Sequence, residues 1–275
     1  MTRFMGSLDN LNDAKFVIRG YPYDGTCSYK PGSRFGPAEI RNHSEGIETY
    51  SPRFDMDIED IPFFDAGDLE FPFGDRDGVL ERIELDAESL LSQGFILFGI
   101  GGEHLVSLPL IRSAHRNHPN LHVFHFDAHM DLREHYLEDR LSHATIMRRV
   151  LDFLPADRLH QFNIRSGTKE EWQFSRENGI LKGHPCDQLS QLRPETPIYV
   201  SIDLDVLDPA VFPGTGTPEP GGLTFIQLVE QLAAFRGRNI IGADFVELAP
   251  NVDPTDVSTI VAAKLIREMM VIANG

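Results

Sequence analysis

The chain reads as an α/β protein built on a mostly parallel sheet with helices on both faces. Three observations carry that expectation. Short apolar runs rich in Val, Ile and Phe alternate with longer amphipathic stretches along the 275 residues, and repeated strand–helix–strand order is the mark of a parallel sheet. At 41% hydrophobic the chain has material for one large core. The polar motifs recur at the ends of the apolar runs, the edge at which open parallel sheets bind ligands.

In chain order, KFVIRGYP (15–22) opens as the first strand. A helical pattern near 77–92 leads to GFILFGIGG (94–102), one near 103–116 to LHVFHFDAH (121–129), and one near 142–153 to LHQFNIRSG (159–167). PIYVSIDLDV (197–206) precedes a helix near 223–236, and NIIGADFVEL (239–248) one near 255–272. Each strand is a short apolar run and each helix a longer amphipathic one. No repeat of 20 to 50 residues and no Ser/Gly linker interrupts the pattern, so a single domain over 1–275 is expected. FPGTGTPEPGG (212–222) reads as a structured loop between a strand and a helix.

Composition excludes several classes of function. The 25 Lys+Arg against 42 Asp+Glu give a formal charge of −17, a field that repels phosphate backbones and anionic membranes and favours cationic ligands. Cys27 and Cys186 are the only cysteines, so neither a disulfide framework nor a thiolate zinc site is supported, and a reducing cytosol fits. The opening MTRFMGSLDN lacks an apolar signal core. No apolar run approaches the ~18 residues of a bilayer span. A soluble, cytoplasmic protein is expected.

The chemistry concentrates in two stretches. FDAHMDLR (126–133) carries Asp127, His129 and Asp131 at alternate positions, and SIDLDVLDP (201–209) repeats the step with Asp203 and Asp205. Alternate residues of an extended chain share a face, so each set is expected to project together from a strand end. Adding His104 of GGEH gives two imidazoles and four carboxylates. Bare carboxylates packed together cost several kcal/mol per ion unless Lys, Arg or a metal neutralises them. Two divalent cations, ~3.5–4 Å apart and sharing a hydroxide, fit such a set, and oxygen and nitrogen donors without sulfur suit Mn²⁺. His125 reads as a core or supporting histidine. At this level the donors leave the substrate open: a deacetylase-like amidohydrolase or a phosphoesterase would use a similar set.

GGEH, DAHMD, SIDLDVLDP and GTGTPEPGG together resemble the signatures of the ureohydrolase family of arginases and agmatinases, and the likeness runs from GYPYDGTCSYKPGSRFGPAEIR (20–41) to FVELAP (245–250). The resemblance implies a three-layer αβα sandwich, a binuclear manganese site, hydrolysis of a guanidinium to urea and an amine, and a homo-oligomer of three or six chains. It puts the metal ligands on His104, Asp127, His129, Asp131, Asp203 and Asp205, with Asp127 and Asp203 bridging. It puts the proton shuttle on His143 and the acid that orients the guanidinium on Glu247. Departures from the family pattern are Glu103 for Asp, Leu105 for Ser or Thr, Ala144 for Gly after His143, and Asn163 for Gly before IRSG. LREHYLEDRLSHAT (132–145) lacks the Asn with which arginases hold an α-carboxylate and adds Glu134, Glu138 and Asp139. Agmatine, yielding putrescine and urea, is therefore the expected substrate. Arg133 stands at the Asn position, open either to pairing with a neighbouring acid or to holding the carboxylate of arginine or 4-guanidinobutyrate. Aminopropylagmatine also fits the family. The reading from a different class is a metal-binding relative without activity.

Overall fold

Strand β1 (Phe16–Tyr21) is followed by α1 (Gly36–Ser44), the two-residue strands β2 (Tyr50–Ser51) and β3 (Met56–Asp57), and β4 (Phe63–Asp68). Then come α2 (Arg76–Leu91), β5 (Ile96–Gly101), α3 (Ser107–Asn117), β6 (His122–Phe126), α4 (Ile146–Val150) and β7 (Leu159–Phe162). Helices α5 (Lys169–Asn178) and α6 (Pro185–Leu189) precede β8 (Ile198–Asp203), α7 (Phe225–Leu232), β9 (Ile240–Val246) and α8 (Val257–Asn274). These elements come from a computed structural model that describes residues 2–275. β2 and β3 form a small antiparallel hairpin, and the other strands make one wholly parallel sheet in the order β4-β1-β5-β9-β8-β6-β7.

Strand alternation sorts side chains onto two cores. Phe16 and Ile18 of β1, Phe124 and Phe126 of β6, and Ile198, Val200 and Ile202 of β8 pack on one face with residues of α1, α7 and α8, such as Ile40, Leu228 and Met269. Val17, Val123 and Tyr199 pack on the other face with residues of α2, α3 and α4, such as Ile83, Leu110 and Met147. Each such side chain contributes ~1.5–3 kcal/mol by leaving water. The result is the expected three-layer αβα arrangement.

The structure also departs from the sequence reading. Strand β4, an edge strand, was not expected: FFDAGD carries two Asp and a Gly and looks like a turn, yet Arg41 of α1 neutralises Asp65 at 2.7 Å and also pairs with Asp68. Helices α1, α5 and α6 were not expected either. The strand expected over 159–167 stops at Phe162, because Asn163 has φ +67°. Asn tolerates that left-handed conformation better than other non-glycine residues, which explains why it can stand where Gly is usual. The helix expected near 142–153 is reduced to a turn at His143–Thr145 and the five residues of α4.

The strand-face argument for the acidic motifs needs correction. β6 ends at Phe126, before Asp127, and Asp131 has φ +53°. β8 ends at Asp203, and Asp205 lies in a helical turn spanning Leu204–Val206. Local turns, with Asp127 Oδ1 accepting from the His129 N–H at 2.5 Å and Asp203 Oδ1 from the Asp205 N–H at 2.9 Å, bring the side chains together.

Candidate active site

Neighbouring strands deliver the site. β5, β9, β8 and β6 are consecutive in the sheet, and their C-terminal ends carry His104, Glu247, Asp203 with Asp205, and Asp127 with His129 and Asp131. Together with the turn after β7, which supplies Ser166 and Gly167, these ends border a cleft of about 490 Å³.

His104, Asp127, Asp131, Asp203 and Asp205 are all buried, and His129 is half-buried. His104 Nδ1 lies 3.3 Å from Asp127 Oδ2 and 3.2 Å from both Asp131 Oδ2 and Asp203 Oδ2. His129 Nδ1 lies 2.9 Å from Asp205 Oδ2 and 3.5 Å from Asp127 Oδ1. Two donor groups thus meet at Asp127, which offers one oxygen to each. Asp203 approaches the His104 side with Oδ2, its Oδ1 being engaged by the Asp205 N–H.

The hydrogen bonds behind these residues fix their tautomers. Ser201 Oγ spends its single hydrogen on Asp244 Oδ1 at 2.8 Å, so it must accept from His104 Nε2–H at 3.0 Å. That leaves the Nδ1 lone pair of His104 aimed at three carboxylates. The Gln161 amide nitrogen donates to the Met130 carbonyl at 2.6 Å and to His125 Nδ1 at 3.0 Å, so His125 Nε2–H donates to Asp127 Oδ2 at 2.8 Å. His125 thereby steadies the shared carboxylate, although its nitrogen also lies close enough to join the His104 donor group.

Neither His104 Nδ1 nor Asp205 Oδ2, both buried, has a hydrogen-bond donor. Burial followed by the charge of Asp127 pushes Asp131 up to about 7, and burial followed by Asp205 and Asp127 pushes Asp203 well above the carboxylate range. Lone pairs crowded without donors and carboxylates crowded without Lys or Arg are the signature of a cation site. The donor set of nitrogen and oxygen without sulfur fits hard divalent ions.

Glu247 borders the same space. Its backbone sits at φ +66°, its N–H donates to the Gly102 carbonyl at 2.9 Å, and its Oε1 accepts the His104 N–H at 2.7 Å. Burial and then the nearby Glu103 push it up to about 8. His143 lies across the cleft, with Nδ1 3.3 Å from Thr26 Oγ1 and Nε2 3.3 Å from Ser28 Oγ. Burial pushes its imidazole down to about 4.

The cleft mouth differs from the sequence reading. Glu134 turns away to Arg148 and Arg149, each at 3.0 Å, and to Arg140 at 3.2 Å, while Asp139 pairs with Arg76. Neither they nor Glu138 line the cleft. Besides Asp131, Asp203 and Glu247, the acids that do are Glu171 and Glu219, which sequence reasoning missed. Glu171 had a signal, the Thr168-to-Glu171 spacing of a helix capping box. Glu219 lies in the Pro/Gly loop, which Arg165 anchors by donating at 2.7 Å to the carbonyls of both Glu219 and Asp205. Arg133 takes the paired alternative, with Nε 3.6 Å from Glu171 Oε2 and its guanidinium 4.9 Å over the Tyr136 ring.

Residues 14–272 match the arginase family. The chain is 44% identical to the agmatinase of Bacillus anthracis, the match covering 97% of this chain and 94% of that protein. It is 38% identical to the N(1)-aminopropylagmatine ureohydrolase of Thermococcus kodakarensis, over 92% of this chain and 88% of that one. Its fold superposes on the crystal structure of the agmatine ureohydrolase of Thermoplasma volcanium with a TM-score of 0.89 at 27% identity, covering 100% of this chain and 94% of that one.

Proposed function

The chain belongs to the arginase family and is an agmatinase-like hydrolase of guanidino C–N bonds, and from that premise we propose that it converts agmatine to putrescine and urea with two Mn²⁺ ions. The observation that carries the metal reading is the meeting of two donor groups at Asp127, with the His104 Nδ1 lone pair and Asp205 Oδ2 left without donors. His104, Asp131, Asp203 and Asp127 would hold one ion, and His129, Asp205 and Asp127 the other. When bound, such a pair lowers the pKa of water and supplies a nucleophile at neutral pH.

The protein's own groups do the rest. Glu247 has one oxygen on the His104 N–H and its other oxygen free for the guanidinium, whose positive charge favours the ionised carboxylate. His143 rests neutral, since burial opposes its charging, and so begins as a base at Nε2. A proton taken there from the attacking water passes to the amine nitrogen, which leaves as the C–N bond breaks only when protonated. Glu219 gives the cleft wall a carboxylate that suits the ammonium end of agmatine and disfavours an α-carboxylate, whereas the charge of Glu171 is met by Arg133. Arg133, engaged by Glu171 and Tyr136, is occupied.

The test is a urea-release panel on the Mn²⁺-loaded protein with agmatine, arginine, 4-guanidinobutyrate and aminopropylagmatine. Agmatine should exceed arginine in kcat/KM by at least ~100-fold, about 2.7 kcal/mol of discrimination. Arginine equal to agmatine would overturn the substrate assignment, and 4-guanidinobutyrate in first place would return Arg133 to the role of carboxylate holder. We further assign the chain to one domain, to the cytosol, and to a trimer or hexamer whose mass light scattering would read. The exposed Phe73 and Leu137 offer apolar surface for such contacts.

A further inference from the structure

We propose that Thr26 and Glu103 are positioning residues that fix the tautomer and aim of His143, an inference that rests on His143 acting as the proton carrier. Thr26 lies in the loop after β1, within the GTCS segment to which no role has been given. Its N–H donates to Glu103 Oε2 at 2.7 Å and its hydroxyl donates to Glu103 Oε1 at 2.6 Å, a two-point grip on a carboxylate with no exposed surface.

The two loops are fastened together before this grip forms. The Gly102 N–H donates to the Tyr21 carbonyl at 2.9 Å and the Glu103 N–H to the Tyr23 carbonyl at 2.7 Å. A Cβ at Gly102 would fall 1.9 Å from that Tyr23 oxygen, so the approach needs glycine. Glu103 therefore meets Thr26 in one geometry.

A hydroxyl has a single hydrogen, and that of Thr26 is committed to Glu103. Towards His143, then, Thr26 Oγ1 can only accept. It does so from the His143 backbone N–H at 3.1 Å and faces ring Nδ1 at 3.3 Å. Nδ1 must carry the hydrogen, and Nε2 is left as the lone pair on the cleft side, 3.3 Å from Ser28 Oγ. When Nε2 takes up a proton, the ring's Nδ1–H still points at Thr26 Oγ1, whose own hydrogen is held by the buried Glu103 carboxyl group. The logic is that of the carboxylate behind the histidine in hydrolase triads, with a threonine hydroxyl interposed.

The experiment compares Thr26→Val, Thr26→Ser, His143→Asn and the double variant Thr26→Val/His143→Asn, all Mn²⁺-loaded. Thr26→Val should keep its metal content and its KM for agmatine while kcat falls on the order of 10-fold or more, a share of what acid–base catalysis supplies. Thr26→Ser should recover most of that loss. In the His143→Asn background Thr26→Val should cost nothing further. ¹⁵N NMR of the histidine ring, recorded with a diamagnetic divalent ion in the site, should show His143 protonated on Nδ1 in the parent and a mixture of tautomers in Thr26→Val. Unchanged kcat and tautomer in Thr26→Val beside a crippled His143→Asn would sink the positioning role alone. A fully active His143→Asn would sink the proton-carrier reading beneath it. Loss of metal in Thr26→Val would overturn the inference by making the residue part of the metal site's support.

Discussion

Asp127 is the residue at which the two donor groups meet, and its carboxylate is held from behind by His125 and from the chain by the His129 N–H. Removing it should cost both groups a ligand. In Asp127→Ala, bound manganese should fall well below two per chain and urea release should cease; elemental analysis finding two ions in an active variant would refute the shared-ligand assignment. The identity of these side chains was legible in the sequence because GGEH, DAHMD and DLD, each a weak signal alone, fall together at the ends of successive apolar runs. Their geometry was not: Asp131 and Glu247 occupy left-handed backbone, and such local conformations depend on the hydrogen bonds of the folded turn. Glu219 was illegible as a cleft residue for the same kind of reason, since only Arg165 fixes where its loop lies.

At the scale of elements, β6 and β7 hold a second pair of imidazoles away from the site. His160 Nε2 lies 3.0 Å from His122 Nδ1 with the rings stacked at 5.3 Å, and burial, then His122 and Lys182, push His160 down to about 3. Unfolded, this ring would protonate near ~6.5. Below that pH the unfolded chain binds the proton and the folded chain does not, so the contribution is intact above ~6.5 and stability is lost as the pH falls toward 3. The slope is at most about 1.4 kcal/mol per pH unit for one such group. Urea unfolding at pH 7 and pH 5 should therefore show a smaller acid loss in His160→Gln than in the parent; equal losses would contradict the buried neutral pair. Element type was readable from apolar runs for the inner strands, because both their faces are covered. It failed at β4, whose polar residues are neutralised by α1, a partner distant enough in sequence to be invisible to a local pattern.

For the whole molecule, the crowded carboxylates make metal binding part of stability. An ion that binds only the folded state stabilises by about 2.7 kcal/mol at 100 times its Kd. Thermal unfolding after exhaustive chelation should show a lower Tm than after Mn²⁺ loading, by several degrees. Superimposable melting curves would indicate that the donor cluster holds no ion. Among the described residues no helix is long and apolar enough to cross a membrane.

By itself the sequence determined the parallel αβα architecture, the nature of the donor set and the family, because each is written in residue types repeated over the chain: apolar runs of strand length, and carboxylates placed where those runs end. Tertiary structure alone decided the rest. Sheet order makes β5, β9, β8 and β6 neighbours, although nearly 140 residues separate β5 from β9 in the chain, and so joins His104, Glu247, Asp203 and Asp127 in one cleft. It also turns Glu134 outward and Glu171 inward, and it lays the loop after β1 against the one after β5 so that Thr26 reaches both Glu103 and His143. Such pairings are set by packing and hydrogen bonding between segments remote in sequence, and no local pattern of residues encodes them.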